Sequence, residues 1–160
     1  GSPGAARLKE ALAGTGTDLV LTACDVADRD ALAALLAEHP VDAVVHTAGV
    51  LDDRLLDGMD ADALERVLRP KLAAARNLDD LTRDRHLTAF VLYSSVSGTL
   101  GTIGQANYAA ANAFLDALAE QRRAAGLPAT SLAWGPWAGG GMATRDADTE
   151  ARMRRGGISP

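Results

Sequence analysis

Short apolar runs that alternate with helical patterns constrain the fold of this chain more than any other feature. Four runs have the length of a strand and are nearly continuous in apolar residues: Asp18–Cys24, Val41–His46, Thr88–Ser94 and Ala129–Ala133. Strands without a polar face are typical of a parallel sheet that is covered by helices. The repeated order of strand, helix and strand therefore predicts an α/β fold.

The segments around these runs carry helical patterns. They predict helices over Ala5–Ala13, Asp28–Glu38, Asp60–Leu81, Ala106–Ala125 and Asp146–Arg155. Asp28 is suited to cap the second of these helices, and Gly126 to end the fourth. Pro70 lies inside the third, where it should remove one backbone hydrogen bond and bend the helix.

Composition excludes several classes of protein. With 48% hydrophobic and 23% charged residues, the 160-residue chain is an ordinary globular domain, or part of one, and not a disordered segment. Its net charge of -5 argues against a nucleic-acid or anionic-membrane surface. No apolar run approaches the roughly 20 residues that cross a bilayer. The single Cys24 has no partner for a disulfide or a zinc site, which predicts a metal-free protein of the reducing cytoplasm.

The loops that follow the strands indicate where a ligand would bind, because open parallel sheets bind ligands beyond the carboxyl ends of their strands. The loops begin at Asp25, Thr47, Ser94 and Gly135, and three of them are rich in small residues. Small residues allow a flat or phosphorylated ligand to approach the backbone closely. Tight turns without a ligand are the alternative interpretation, which three such loops on one edge disfavour.

A group of four polar residues gives a sharper indication of chemistry. Tyr108 and Asn112 lie four residues apart on one helix, Ser95 follows the third predicted strand, and Lys71 lies in the preceding helix. These elements are neighbours in a right-handed strand–helix–strand arrangement. An ammonium beside a tyrosine lowers the pKa of the phenol from about 10 and favours proton transfer. Taken singly, each residue has an ordinary explanation: an exposed lysine, a core tyrosine, a serine in a turn.

The stretches that contain these residues resemble the ketoreductase domain of modular polyketide synthases, within the short-chain dehydrogenase/reductase superfamily. They are HTAGVLDDRLL at 46–56, RPK at 69–71, YSSVSGTLGTIGQANYAAANAFLDALA at 93–119 and SLAWGPWAGGGM at 131–142. The resemblance implies a Rossmann-like, doubly wound parallel sheet with helices on both faces. It also implies NADPH-dependent reduction of a β-ketoacyl group carried by an acyl carrier protein.

The resemblance assigns a role to each of the four polar residues. Tyr108 matches the proton donor and Ser95 the serine that binds the ketone oxygen. Lys71 would hold the nicotinamide ribose and tune Tyr108, and Asn112 would support the helix or a proton-relay water. Most of the superfamily places a lysine four residues after the tyrosine, so the lysine and asparagine are exchanged here, as in polyketide ketoreductases.

Further positions match contacts to the cofactor. The resemblance places Asp25 and Val26 beside the adenine, Ala48, Gly49 and Val50 against the adenosine and ribose, Pro136 and Trp137 beside the nicotinamide, and Gly139 to Met142 at the start of a mobile lid.

One motif bears on stereochemistry. Leu51, Asp52 and Asp53 resemble the LDD motif of B-type ketoreductases, which produce a D-configured 3-hydroxyl group. Leu100 stands where the A-type has tryptophan, and Ala110 where epimerising B-type domains have proline. The resemblance therefore predicts a B1-like, non-epimerising reductase. A charged, solvated loop is the alternative interpretation of the motif.

The resemblance also indicates what this chain lacks. No stretch matches the Gly-rich phosphate loop. We therefore expect residues 1–160 to be the catalytic portion of one ketoreductase domain, with the phosphate-binding βαβ unit before Gly1 and a last helix and strand after Pro160. The sheet would be incomplete at both ends, and a further ketoreductase segment would be needed to complete it.

Two other functions stay open at this point. The first is a non-catalytic, ketoreductase-like scaffold within a synthase, which the intact group of four residues disfavours. The second is a stand-alone short-chain reductase of small ketones, which the exchanged lysine and asparagine disfavour. The leading interpretation has an acyl carrier protein and neighbouring synthase domains as its partners.

Overall fold

A computed structural model describes residues 4–137, and in this part of the chain three parallel strands form one sheet in the order β1-β2-β3. The strands are β1 (Ala43–His46), β2 (Ala89–Ser95) and β3 (Thr130–Trp134). The helices are α1 (Ala5–Leu12), α2 (Arg29–Glu38), α3 (Ala61–Leu68), α4 (Ala74–Thr82), α5 (Ser97–Leu100) and α6 (Ala106–Ala124). A 3₁₀ turn (Leu56–Gly58) precedes α3, and a π-helical turn (Arg69–Ala73) joins α3 to α4.

Three of the four predicted strands are confirmed, and so is the Rossmann-like α/β class. Val44 pairs with Phe90 between β1 and β2, and Ser95 pairs with Trp134 between β2 and β3. The capping prediction also holds, because the Asp28 carboxylate accepts hydrogen bonds from two backbone N–H groups at the start of α2. The predicted helix Asp146–Arg155 lies outside the described residues.

The predicted strand at Asp18–Cys24 is wrong. This segment forms no ladder with any strand of residues 4–137, and two of its apolar side chains are largely exposed, Val20 at 60% and Leu21 at 49%. A strand exists only through the hydrogen bonds of a neighbour, and β1 pairs with β2 alone among the described strands. The apolar pattern of a strand is therefore present here without the pairing that would make it one.

Pro70 alters the predicted long helix over Asp60–Leu81. The helix divides into α3 and α4 around the π-helical turn, in which the Ala74 N–H donates to the Arg69 carbonyl, five residues back. Proline has no N–H and disrupts the preceding turn, so a wider turn is a common way to keep the chain helical. The turn carries Lys71, whose position therefore depends on Pro70.

The main core lies between the sheet and three helices. Leu32 and Leu36 of α2, Leu78 of α4 and Leu115 of α6 pack with the side chains of Val44, Phe90 and Leu92. Register places those three sheet residues on one face, whereas Val45 on the opposite face is 60% exposed. The described helices of the core thus cover one face of the sheet. Helices were predicted on both faces, and no helix of this core lies on the other face within residues 4–137.

A buried charge network ties two helices of this core together. The Arg122 guanidinium of α6 is 1% exposed, lies 3.9 Å from the centroid of the Phe90 ring and binds the Asp79 carboxylate of α4. The same carboxylate accepts a second ion pair from Arg83. Because both central charges are removed from water, each depends on the other for its hydrogen bonds.

This network predicts that removing one charge lowers the free energy of unfolding much more than removing both. Arg122→Met should lower the free energy of unfolding by about 3–5 kcal/mol, since it leaves the Asp79 carboxylate buried beside one exposed partner. Adding Asp79→Asn should recover much of that loss. Denaturant titration of a domain that includes residues 1–160 measures both, with the exposed neighbour variant Arg123→Met as the control. A loss below about 1 kcal/mol for Arg122→Met would contradict the prediction.

Candidate active site

The strand ends place the predicted loops at one edge of the sheet. His46, Ser95 and Trp134 end the three parallel strands, so the segments that follow them leave the sheet at the same side. The Val96 N–H donates to the Trp134 carbonyl at 3.0 Å and joins the loops after β2 and β3. This is the edge at which the sequence predicted a ligand site.

Tyr108 lies buried at this edge, in the first turns of α6. It belongs to a small buried cluster with Val67 of α3, and Leu51 of the loop after β1 packs against this cluster. Hydrogen bonds with Asn112 and Ser95 lower the pKa of the phenol, and burial, which is the larger effect, raises it above its usual value of 10. Burial therefore holds the phenol protonated at neutral pH.

Lys71 completes the group from the π-helical turn. Its side chain is buried, and its ammonium donates a 2.8 Å hydrogen bond to the Tyr93 carbonyl and lies 5.4 Å from the centroid of the Tyr108 ring. Burial lowers the pKa of Lys71 from 10.5 to about 8, and the nearby carboxylate of Asp116 opposes that shift. At pH 7 the ammonium is mostly charged.

The prediction that the pKa of Tyr108 lies below its usual value is wrong for this structure. The pKa of the phenol is raised, and the causes of its shift are burial, Asn112, Ser95 and the carboxylate of Asp53. The ammonium faces the tyrosine ring and is hydrogen-bonded to the Tyr93 carbonyl, which directs its charge to a neighbouring acceptor. Desolvation of the phenol therefore decides the direction.

Ser94, the neighbour of Ser95, joins β2 to α6 at Asn112. The Asn112 amide donates to the Tyr108 carbonyl at 2.8 Å, while its Oδ1 is buried without a hydrogen-bond partner. The Asn112 carbonyl accepts a 3.2 Å bond from the Ser94 hydroxyl. Ser95 Oγ accepts a 3.2 Å bond from the Ser97 N–H, which leaves its own proton for another acceptor. The site thus holds an orphaned acceptor and a hydroxyl donor side by side.

Gly98 allows α5 to approach α6 at the level of Asn112. A Cβ at position 98 would lie 3.0 Å from the Ala113 nitrogen and 3.2 Å from the Asn112 carbonyl carbon. These neighbours are backbone atoms of a long helix, so they cannot move aside cheaply. The close contact fixes the segment after Ser95 against the helix that carries Tyr108.

Arginine and glutamine side chains hold the loop with the LDD motif, whose three residues are partly exposed. Asp52 forms ion pairs with Arg54 at 3.0 Å and Arg66 at 2.7 Å, and hydrogen bonds from these arginines lower its pKa. Asp53 accepts two 3.1 Å bonds from the amide of Gln105.

The backbone at Gly49 lies close to the side chain of Lys71. A Cβ at this position would stand 2.9 Å from Lys71 Cε, so any other residue would require the lysine side chain to shift. The neighbouring Ala48 and Val50 are exposed at the same turn. The predicted contacts of these three residues with the adenosine and ribose stay a prediction.

Other predicted cofactor positions lie nearby with different partners. The Asp25 carboxylate binds Arg69 of the π-helical turn at 2.6 Å, and Val26 packs against the main core. Trp137, two residues beyond the exposed backbone of Gly135, stacks edge-on against Trp134 with ring centroids 5.0 Å apart. Pro136, which lies between the two tryptophans in the sequence, is half-buried. Gly139 and Met142 lie outside the described residues.

Leu100 ends the short helix α5 and is 73% exposed. It belongs to the segment that Gly98 brings close to α6. Ala110, the other position used to predict the stereochemical type, lies in α6 two residues after Tyr108.

His46 is a site residue that the sequence analysis did not single out. It is buried at the end of β1 with its Nε2 unpartnered, and burial and the charge of Lys71 lower its pKa. Backbone hydrogen bonds at Pro70 and Lys71 act in the opposite direction. The sequence does contain a signal for it, because an ionisable residue lies at a core-facing position of a predicted strand.

Within residues 4–137, no group of three His, Cys, Asp or Glu side chains is arranged to hold a metal ion. The described helices also include none that is both long and apolar enough to span a membrane.

A protein-family model described as "KR domain" matches residues 1–139. The chain belongs to this ketoreductase domain family of modular polyketide synthases. Spectinabilin polyketide synthase system protein NorB of Streptomyces orinoci is 58% identical over 163 residues, which cover 98% of this chain and 8% of NorB. The family is of the short-chain dehydrogenase/reductase type, and its ketoreductase name implies oxidoreductase chemistry.

Solved ketoreductases share the fold. The first ketoreductase of the tylosin synthase is 57% identical with a TM-score of 0.88, over 96% of this chain and 34% of that one. An A-type ketoreductase from a modular synthase is 50% identical with a TM-score of 0.90, over 96% of this chain and 33% of the other. The chain thus spans about a third of these structures, and the fold does not distinguish one stereochemical type from another.

The contact at Gly98 gives a prediction for this ketoreductase chain. Gly98→Ala should lower the free energy of unfolding by about 1–3 kcal/mol, because the new methyl group would press on the α6 backbone. Gly58→Ala is the matched control, since nothing lies within 4 Å of a Cβ at that position. Thermal or denaturant unfolding of a domain that includes residues 1–160 compares the two. Equal stabilities would show that α5 does not lie against α6 as described.

Proposed function

We propose that this chain is the catalytic portion of a ketoreductase domain that uses NADPH to reduce a β-ketoacyl group on an acyl carrier protein to the D-β-hydroxyacyl group. The observation that supports this is the meeting of Ser95, Tyr108, Asn112 and Lys71 at the carboxyl edge of the sheet. Three separate elements, β2, α6 and the π-helical turn, supply these groups, and a purely structural tyrosine requires no such set.

The residues present fit the nicotinamide and ribose end of a dinucleotide. Gly49 brings the backbone over the Lys71 stem, where a side chain would exclude a ribose as well as the lysine. Asn112 Oδ1 is a buried acceptor without a partner, and the Lys71 ammonium has donors beyond the one used by Tyr93. We infer that Lys71 would hold the ribose hydroxyls and that Pro136 and Trp137 would border the nicotinamide.

When bound, NADPH supplies a hydride to the ketone carbon, and the protein supplies the proton and the electrostatics. The hydroxyl of Ser95 would donate a hydrogen bond to the ketone oxygen, on which negative charge grows. Tyr108, kept protonated by burial, would transfer its phenolic proton to that oxygen, so that the product is an alcohol. The charged Lys71 would then stabilise the phenolate until a proton from solvent reaches it through a relay water that Asn112 supports.

The stereochemical part of the proposal rests on the LDD loop. Leu51 packs against the cluster that contains Tyr108, and Asp52 and Asp53 are held by arginine and glutamine side chains. A fixed loop beside the proton donor would restrict the side from which the carrier arm enters, and with Leu100 and Ala110 it favours a B1-like reductase. The solved A-type relative shows that the fold alone accommodates another outcome.

The partners and the location follow from the same interpretation. Curated relatives such as NorB are large synthase proteins, of which this chain spans a small share. We therefore propose an acyl carrier protein and neighbouring synthase domains as partners, a further ketoreductase segment that completes the sheet, and a cytoplasmic location. Such a multidomain context disfavours a stand-alone reductase of small ketones.

The decisive test follows NADPH absorbance in a ketoreductase domain that includes residues 1–160, supplied with a β-ketoacyl thioester. Tyr108→Phe should lower kcat about 10²–10⁴-fold, because the general acid is lost. NADPH affinity, measured by fluorescence, and the unfolding midpoint should stay close to those of the unaltered domain. Chiral chromatography of the product should show the D-configured alcohol, and NADH in place of NADPH tests the cofactor preference.

Three outcomes would overturn parts of the proposal. Undiminished turnover by Tyr108→Phe would remove this residue as the proton donor. An unaltered domain that is folded and inactive with NADPH and the thioester would be a scaffold. Faster turnover of free small ketones than of the thioester would indicate a stand-alone type of reductase.

A further inference from the structure

Asn107 occupies a central position that the proposed mechanism does not use. It directly precedes Tyr108 and is 1% exposed. Its Oδ1 accepts a 2.8 Å hydrogen bond from the Tyr108 N–H, and its Nδ2 donates to the Asp52 carbonyl at 2.9 Å and to the Ala63 carbonyl at 3.3 Å. One side chain thus joins the LDD loop, the start of α3 and the backbone of the tyrosine.

Two further bonds run between the same loop and the segment before Tyr108. The Arg54 N–H donates to the Gly104 carbonyl at 2.8 Å, and the Gln105 amide binds the Asp53 carboxylate. The loop therefore lies along residues 104–107 in a fixed register. Of these three connections, only the one through Asn107 includes an atom of Tyr108.

The chemistry of an amide matches this position. Tyr108 N–H is one of the N–H groups that a helix leaves unpaired in its first turn, and any small acceptor side chain can satisfy it. The two carbonyls on the other side require N–H donors. A serine or an aspartate at position 107 can accept from Tyr108 but cannot donate to Asp52 and Ala63 as an amide does. A helix cap alone does not explain the use of both ends of the side chain.

We propose that Asn107 is a positioning residue that fixes the LDD loop relative to Tyr108 and thereby determines how strictly one face of the ketone is reduced. The proposal rests on the proposed ketoreductase function. Asn107 contacts the backbone N–H of Tyr108 and not its phenol, so its contribution lies in where the loop stands when the substrate arm enters. A loop released from Asp52 and Ala63 would admit the arm in more than one orientation.

The test uses Asn107→Ser in a ketoreductase domain that includes residues 1–160, with NADPH and a β-ketoacyl thioester. Serine keeps an acceptor for the Tyr108 N–H, but it lacks the amide whose two N–H groups bond the Asp52 and Ala63 carbonyls. We expect the ratio of the two enantiomeric alcohols to fall about fivefold or more, the factor that one neutral hydrogen bond is worth. A role confined to helix stability would lower the amount of folded enzyme and leave that ratio unchanged.

Asn77→Ser is the matched control, because the Asn77 amide also donates to a backbone carbonyl, that of Val26, at 3.2 Å. Its product ratio should equal that of the unaltered domain. If Asn107→Ser does not fold, Asn107→Asp, which is isosteric and keeps the acceptor, is judged by the same ratio. An unchanged ratio in the folded variant would overturn the role of Asn107. No turnover by the unaltered domain would instead overturn the ketoreductase function itself.

Discussion

The burial of the Lys71 ammonium is the constraint on which the site depends. The side chain is 2% exposed, and burial lowers its pKa from 10.5 to about 8, which corresponds to a cost of about 3 kcal/mol to folding. The folded chain loses this proton before the unfolded chain does, so stability from this group is lowest below pH 8 and rises up to about pH 10.5. A buried charge that destabilises the fold by this much is expected where it takes part in binding or catalysis.

The surroundings of Lys71 hold the charge in one place. The π-helical turn around Pro70 sets its backbone, and Gly49 leaves room for its side chain. The Tyr93 carbonyl accepts a hydrogen bond from its ammonium. Tyr108 lies on the other side of the ammonium and stays protonated through its own burial. A proton donor and a cation are thus set side by side before any substrate arrives, which avoids reorganisation during the reaction.

Much of this arrangement could be predicted from the sequence. Helix spacing placed Tyr108 and Asn112 on one face, and the order of elements placed Ser95 and Lys71 beside them. The apolar run Asp18–Cys24 was wrongly predicted to be a strand, because periodicity does not show whether a strand has a neighbour to pair with. Asn107 was not singled out because its partners, two backbone carbonyls, leave no pattern in the sequence. The direction of the Tyr108 pKa also depended on burial, which spacing does not reveal.

Nuclear magnetic resonance titration of the Lys71 side chain in a ketoreductase domain that includes residues 1–160 tests the central claim most directly. Labelled lysine gives the signal, and its loss in a Lys71→Arg variant identifies it. The account predicts that the ammonium of the ligand-free domain titrates near pH 8, as a group buried beside Tyr108 does. Titration at the ordinary lysine value of about 10.4 would show that the ammonium is in water, and would contradict the account.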